Sequence, residues 1–237
     1  MQLGDVLLVR GDGKISSSLV AAQKAIYGKS QSSHVELSLG DGTFVHATND
    51  GGVHIAFIKD ELEHCKGGWR VIRLKSIDSA SQESIAKAGL YFLRQGYNKK
   101  YMGSGTEHSS FCSELVAKAY KKAGIEILSG KLPSKIAPAH FDEQADLGED
   151  WIDVTQEYQE LLSKIEQDEL PYRFAFQTTQ GAMEKRAITN KGREAIFAGL
   201  EMMAERDGKP RLKELVEESK KFLREKRELD FWDANDS

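Results

Sequence analysis

The sequence predicts an α+β fold: an antiparallel sheet packed on helices, followed by a mostly helical, charged C-terminal extension. Three observations carry this reading. Short segments that alternate apolar and polar residues, separated by glycine-rich turns, cluster in the first 75 residues. Apolar residues then take up helical spacing, at 81–93 and 112–123. Glycine and charge are also unevenly shared. Most of the 21 glycines precede residue 150, whereas Asp, Glu, Lys and Arg crowd the segment after it. Two regions are expected, 1–150 and 151–237.

Taken in order, Asp5-Val6-Leu7-Leu8-Val9 is a short apolar run that reads as a buried strand. Residues 16–27 read as a helix. After the polar loop 30–33, His34-Val35-Glu36-Leu37-Ser38-Leu39 alternates as a strand with Val35, Leu37 and Leu39 on one face. Gly40-Asp41-Gly42 signals a turn, 43–47 a second strand, 49–52 another turn, and 53–57 a third strand. Residues 69–74 complete an antiparallel meander. A helix follows at 81–93, then a Gly/Ser/Tyr-rich loop over 95–110, then a helix from Cys112 that ends at Gly124. Beyond Pro133 and Pro138, residues 155–165 read as a helix and 172–176 alternate like a strand. Residues 189–206 and 209–229 read as charged amphipathic helices broken at Gly208 and Pro210.

Composition excludes several classes. A formal charge of −4 with 40% hydrophobic residues is neither a disordered chain nor a basic nucleic-acid binder, so no nucleic-acid partner is expected. No apolar run reaches membrane-spanning length, so no integral membrane segment is expected. Met1-Gln2-Leu3-Gly4-Asp5 lacks the basic and apolar parts of a secretory signal. A cytoplasmic location is expected, and export by a dedicated machine is compatible with it. Cys65 and Cys112 are expected to be thiols in a reducing compartment.

Cys112 is the informative position, because it stands in the first turn of its helix. Backbone N–H groups and the helix dipole favour negative charge there, which is expected to stabilise a thiolate. The plainer reading is a small buried hydrophobe. A nucleophile needs a base, and His34 and His46 lie on neighbouring strands. If 40–42 is a three-residue loop, Glu36 opposes His46, and the two imidazoles are diagonal neighbours on one face; with a two-residue loop they part. The three-residue loop is expected. His54 is expected on an outer face, His64 and His108 in loops, and His140 at the surface. His34, His46, His54 and Cys65 also raise a metal site, but no Cys-x-x-Cys or His-Glu-x-x-His spacing occurs. No metal and no cofactor are expected.

Four segments together resemble a known family: Leu3-Gly4-Asp5-Val6-Leu7-Leu8, Ser33-His34-Val35-Glu36-Leu37, Phe44-Val45-His46-Ala47, and Phe111-Cys112-Ser113-Glu114-Leu115-Val116. They resemble the circularly permuted papain-like enzymes, the YiiX-like members of the NlpC-type cysteine amidases, with lecithin–retinol acyltransferase a more distant relative. The resemblance covers about residues 1–127. It implies a permuted papain-like fold, Cys112 as nucleophile, His34 as general base, and His46 as the third polar residue. Tyr97-Asn98 stands where relatives often have Tyr-Asp, and Phe111 replaces a frequent Tyr. Tyr97 and Tyr101 are the candidates to supply a missing hydroxyl.

The expected function is a cysteine hydrolase cleaving a peptide-like amide through an acyl-enzyme. An acyltransferase or lipid hydrolase using the same residues is one alternative, and an inactive binding module another. Residues 189–229 are expected to pack on the catalytic region, on a second copy or on a partner protein.

Overall fold

A computed structural model describes residues 2–225. The chain opens with strand β1 (Val6–Val9) and helix α1 (Lys14–Gln23). It continues through β2 (His34–Gly40), β3 (Thr43–Thr48), β4 (Gly52–Phe57), α2 (Ile58–Glu63), β5 (Arg70–Leu74) and α3 (Ser79–Tyr91). The short strands β6 (Gly96–Tyr97) and β7 (Ser109–Ser110) then form a separate parallel pair, where the sequence suggested only loop. Helix α4 (Cys112–Lys122), α5 (Pro138–Leu147), β8 (Trp151–Asp153), α6 (Thr155–Gln167), α7 (Leu170–Arg206) and α8 (Pro210–Glu225) follow. Six strands make one antiparallel sheet in the order β4-β3-β2-β1-β5-β8.

β1 lies inside this sheet, which is why Val6, Leu7, Leu8 and Val9 are all buried and the strand does not alternate. The β2–β3 hairpin departs from the expected loop. Gly40 pairs with Thr43, so the loop has two residues, Asp41 and Gly42, both at positive φ. A register shift between Ser38 and Gly40 leaves Leu39 as an extra residue in β2, and Leu37 then faces Val45. The bulge undoes the one-residue slip of the short loop. It returns His34 and His46 to a common face by a different route from the one expected.

On the face shared by Val35, Leu37, Val45 and Ile55, helix α3 packs closely: a Cβ on Gly89 would stand 3.0 Å from the side chains of Leu37 and Val45. The other face is covered in part by α6, whose Tyr158 ring meets Phe44 and whose hydroxyl donates to Asp5 at 2.8 Å. Arg73 holds Asp5 through two bonds of 2.7 and 2.8 Å and also reaches Glu157, which ties β1, β5 and α6 together.

Trp151–Asp153, assigned above to the C-terminal region, pairs with β5, and Trp151, Tyr158 and Ile165 are fully buried. The strand expected at 172–176 is instead the start of α7, a 37-residue helix that also takes in 189–206. Pro171 sits in the first turn, where its missing N–H costs nothing. No turn residues follow the brief alternation, and of its aromatic rings Phe176 is buried, against Phe57, while Phe174 is exposed. α8 packs back on α7 through Ala204 and Val216, with Lys220 bonded to Glu201. The rest of the expected second helix, 226–229, lies outside the described residues. Among the described residues no helix is long and apolar enough to cross a membrane.

Candidate active site

The approach to β2 is fixed first. Asp142 on α5 accepts from the Ser30 hydroxyl, the N–H groups of Gln31 and Ser32, and the Ser32 hydroxyl, at 2.7–3.0 Å. The polar loop 30–33 is therefore wrapped around one buried carboxylate, and His34 leaves it in a set direction.

Three imidazoles then line up across β2, β3 and β4. His34 Nε2 lies 3.0 Å from His46 Nδ1, and His46 Nε2 lies 2.9 Å from His54 Nε2. His54 Nδ1 lies 3.1 Å from the Gly52 carbonyl. A carbonyl only accepts, so His54 Nδ1 carries a proton. With neutral rings, His54 Nε2 then accepts from His46 Nε2–H, and His46 Nδ1 accepts from His34 Nε2–H. The lone pair left over belongs to His34 Nδ1. The rings are kept neutral by burial. It pushes His34 down to about 4, with the neighbouring His46 adding to the effect, and it lowers His46 and His54 as well. His54 was expected on an outer face. It does lie opposite Val53 and Ile55, but it directly pairs with His46 and joins the chain.

Glu36 stands beside these rings, fully buried, with no N–H or hydroxyl donating to it among the described residues and with the Glu61 carboxyl in hydrogen-bonding reach. The Glu36 oxygen is 3.3 Å from His46 Nδ1 and 3.7 Å from His34 Nε2, and Glu61 of α2 comes within 3.7 Å of His46 Nδ1. Burial raises both carboxyl groups above the ordinary range, and the Glu36 charge adds to the rise at Glu61. Neither Glu36 nor Glu61 is among the site residues that the sequence predicts. The alternation of β2 that marks the face of His34 also marks Glu36, two residues on, whereas Glu61 gave no signal.

Cys112 opens α4 and is buried, and the backbone N–H groups of Val35, the residue after His34, and of Ser113 favour its thiolate. The single Ser113 hydroxyl proton goes to the Ile136 carbonyl at 2.6 Å, which leaves that effect to the backbone donors. Burial outweighs them and pushes the thiol up to about 11. The resting group is thus a thiol, not the thiolate expected from the helix terminus alone. Glu114, two residues on, accepts from Asn98 at 2.9 Å and from Lys118, fastening the 95–110 loop to α4. Tyr101 stacks on Phe111, and its buried hydroxyl has no hydrogen-bond partner among the described residues.

The remaining candidates separate from this group. Cys65 donates to the Glu61 carbonyl and is pushed up to about 12 by burial and the nearby carboxylates. His140 is buried rather than superficial, because its Nδ1 caps α5 by accepting from Ala137 N–H at 3.0 Å.

Among solved structures, the chain is similar to the metalloprotein yiiX from Escherichia coli O157:H7, at 20% identity with a TM-score of 0.50, over 65% of this chain and 96% of that one. At that identity the likeness concerns the fold. No curated protein sequence matches the chain significantly. A family model covers residues 1–165, which contain the whole sheet, the three histidines and Cys112. The chain therefore belongs to the permuted papain-like amidase enzymes of the YaeF/YiiX, C92 family.

Proposed function

We propose that the protein is a cysteine amidase in which Cys112 attacks a peptide-like carbonyl and His34 Nδ1 takes the thiol proton. The observation that carries this reading is the imidazole chain anchored on the Gly52 carbonyl, which leaves His34 Nδ1 as the basic nitrogen. The backbone N–H of Val35, the residue after His34, favours the Cys112 thiolate. His46 and His54 act as positioning residues, fixing the tautomer of the base.

In the first half-reaction the S–C bond forms and the C–N bond breaks, and the proton from His34 passes to the leaving amine. Water then attacks the thioester, gives a proton to His34 Nδ1, and releases a carboxylic acid and the thiol. N–H groups at the start of α4 stabilise the oxyanion. The Tyr101 hydroxyl, buried and without a partner, is a further donor for it. The catalytic unit in this proposal runs from the N-terminus through α6.

Cys112→Ala tests the reading. Turnover of amide substrates and labelling by acyl electrophiles are both expected to vanish while the circular dichroism spectrum is kept. Hydrolysis by the purified variant, or labelling that maps to Cys65, contradicts it.

A further inference from the structure

We propose that His34 Nε2, His46 Nδ1 and Glu36 form a site for one zinc-class divalent cation, with Glu61 beside His46 at its edge. The starting point is Glu36. A fully buried carboxyl that meets only imidazoles and a second carboxyl, that of Glu61, is costly, because two acids are held together away from water. A cation there offsets that cost.

The geometry meets the requirements of such an ion. Atoms of His34, Glu36 and His46 all lie within 4.8 Å of one another. The separations are 3.0 Å between the two nitrogens, 3.3 and 3.7 Å from Glu36 to His46 and His34, and 3.7 Å from Glu61 to His46. Bonds of about 2.0–2.1 Å to a tetrahedral zinc imply edges of about 3.3–3.4 Å, and the three separations among His34, His46 and Glu36 straddle that length. Two imidazoles and a carboxylate suit a borderline cation, and the charge of Glu61 at the edge helps to balance it.

The surrounding hydrogen bonds are those of a metal ligand. His54 and the Gly52 carbonyl hold the proton of His46 on Nε2, so that the Nδ1 lone pair points into the site. Metal entry displaces one proton, the one His34 shares with His46, to His34 Nδ1. An ion in the site and a His34 able to take the Cys112 proton are then alternative states of one ring. That exclusion rests on the thiol mechanism proposed above; the site itself does not.

The test uses the full chain, stripped with a chelator. Zn²⁺ binding is measured by equilibrium dialysis, and Co²⁺ binding by visible absorption. One ion per chain is expected, with the strong d–d absorption of tetrahedral cobalt and no thiolate charge-transfer band. Glu36→Gln, His46→Gln and Glu61→Gln should each weaken binding at least about tenfold, with folding checked by circular dichroism. Glu61 is only partly buried, so its variant remains informative if the other two do not fold. Cys112→Ala and Cys65→Ser should bind as the unmodified chain does. The proposal is overturned if no stoichiometric binding occurs, if binding survives the Glu and His substitutions, or if a charge-transfer band shows a cysteine ligand.

Discussion

The proton on His54 Nδ1 decides the protonation of two other rings, because each neutral imidazole accepts at one nitrogen and donates at the other. Two predictions belong to this scale. His54→Phe removes the acceptor that orients His46, and kcat for amide turnover should fall about tenfold to a hundredfold with KM little changed. The acid limb of the pH profile should also rise, since His54 is one of the groups that hold His34 down. A merely structural role would leave that limb in place.

The second prediction concerns pH itself. In chelator-treated protein kcat/KM should fall on the acid side near pH 4, where His34 gains a proton, and the alkaline limb should lie near 11, set by Cys112. An acid limb at the ordinary histidine value of 6.5 would contradict the buried, neutral chain. Stability has a matching sign. The folded pKa of His34 is depressed, so the unfolded chain binds more protons between 6.5 and about 4, and this group lowers stability as pH falls through that window.

At the scale of elements, two backbone features place the rings. The Leu39 bulge sets the register of β3 against β2, and the β3–β4 pairing puts His46 opposite His54. Gly52, at φ +60, starts β4 and presents the carbonyl on which the chain ends. A Cβ there would also collide with the Gln95 carbonyl, itself bonded to Val53 N–H. Gly52→Ala should therefore lower stability by about 1–3 kcal/mol from backbone strain alone, read as a shift in the urea midpoint, and should reduce activity beyond the loss of folded protein. Gly68→Ala, where an added Cβ meets nothing within 4 Å, is the control.

At the scale of the whole molecule, the sheet is closed by its last strand. Trp151, Tyr158 and Ile165 are each buried, and losing three such side chains costs on the order of 5–9 kcal/mol, comparable to the stability of an entire domain. A chain ending at residue 150 should fail to give a cooperative thermal transition. α7 differs: about 55 Å long in all, it is anchored near its start by Phe176 on Phe57 and by Arg173 on Asp60, and Ile188, Ile196 and Met202 farther along are exposed. A chain ending at residue 181 should keep the sheet folded and retain Cys112 labelling. Loss of folding in that variant would make α7 and α8 part of the core.

The sequence by itself determined the local structures whose signal is short in range. The alternation of β2 to β4, the apolar face of α4 and the position of Cys112 at its first turn are all readable from neighbouring residues. So was the pairing of His34 with His46, though the expected route, a three-residue loop, was not the one taken. Tertiary structure decided the rest. A bulge and a two-residue loop cannot be told from a longer loop by the residues Gly40-Asp41-Gly42 alone, because only the cross-strand partners fix the register. Burial of Cys112 in the core pushes its thiol up, against a helix terminus that favours the thiolate. Glu61 reaches Glu36 from a helix 25 positions away in the chain, and no linear spacing records a contact that depends on how α2 packs beside β4.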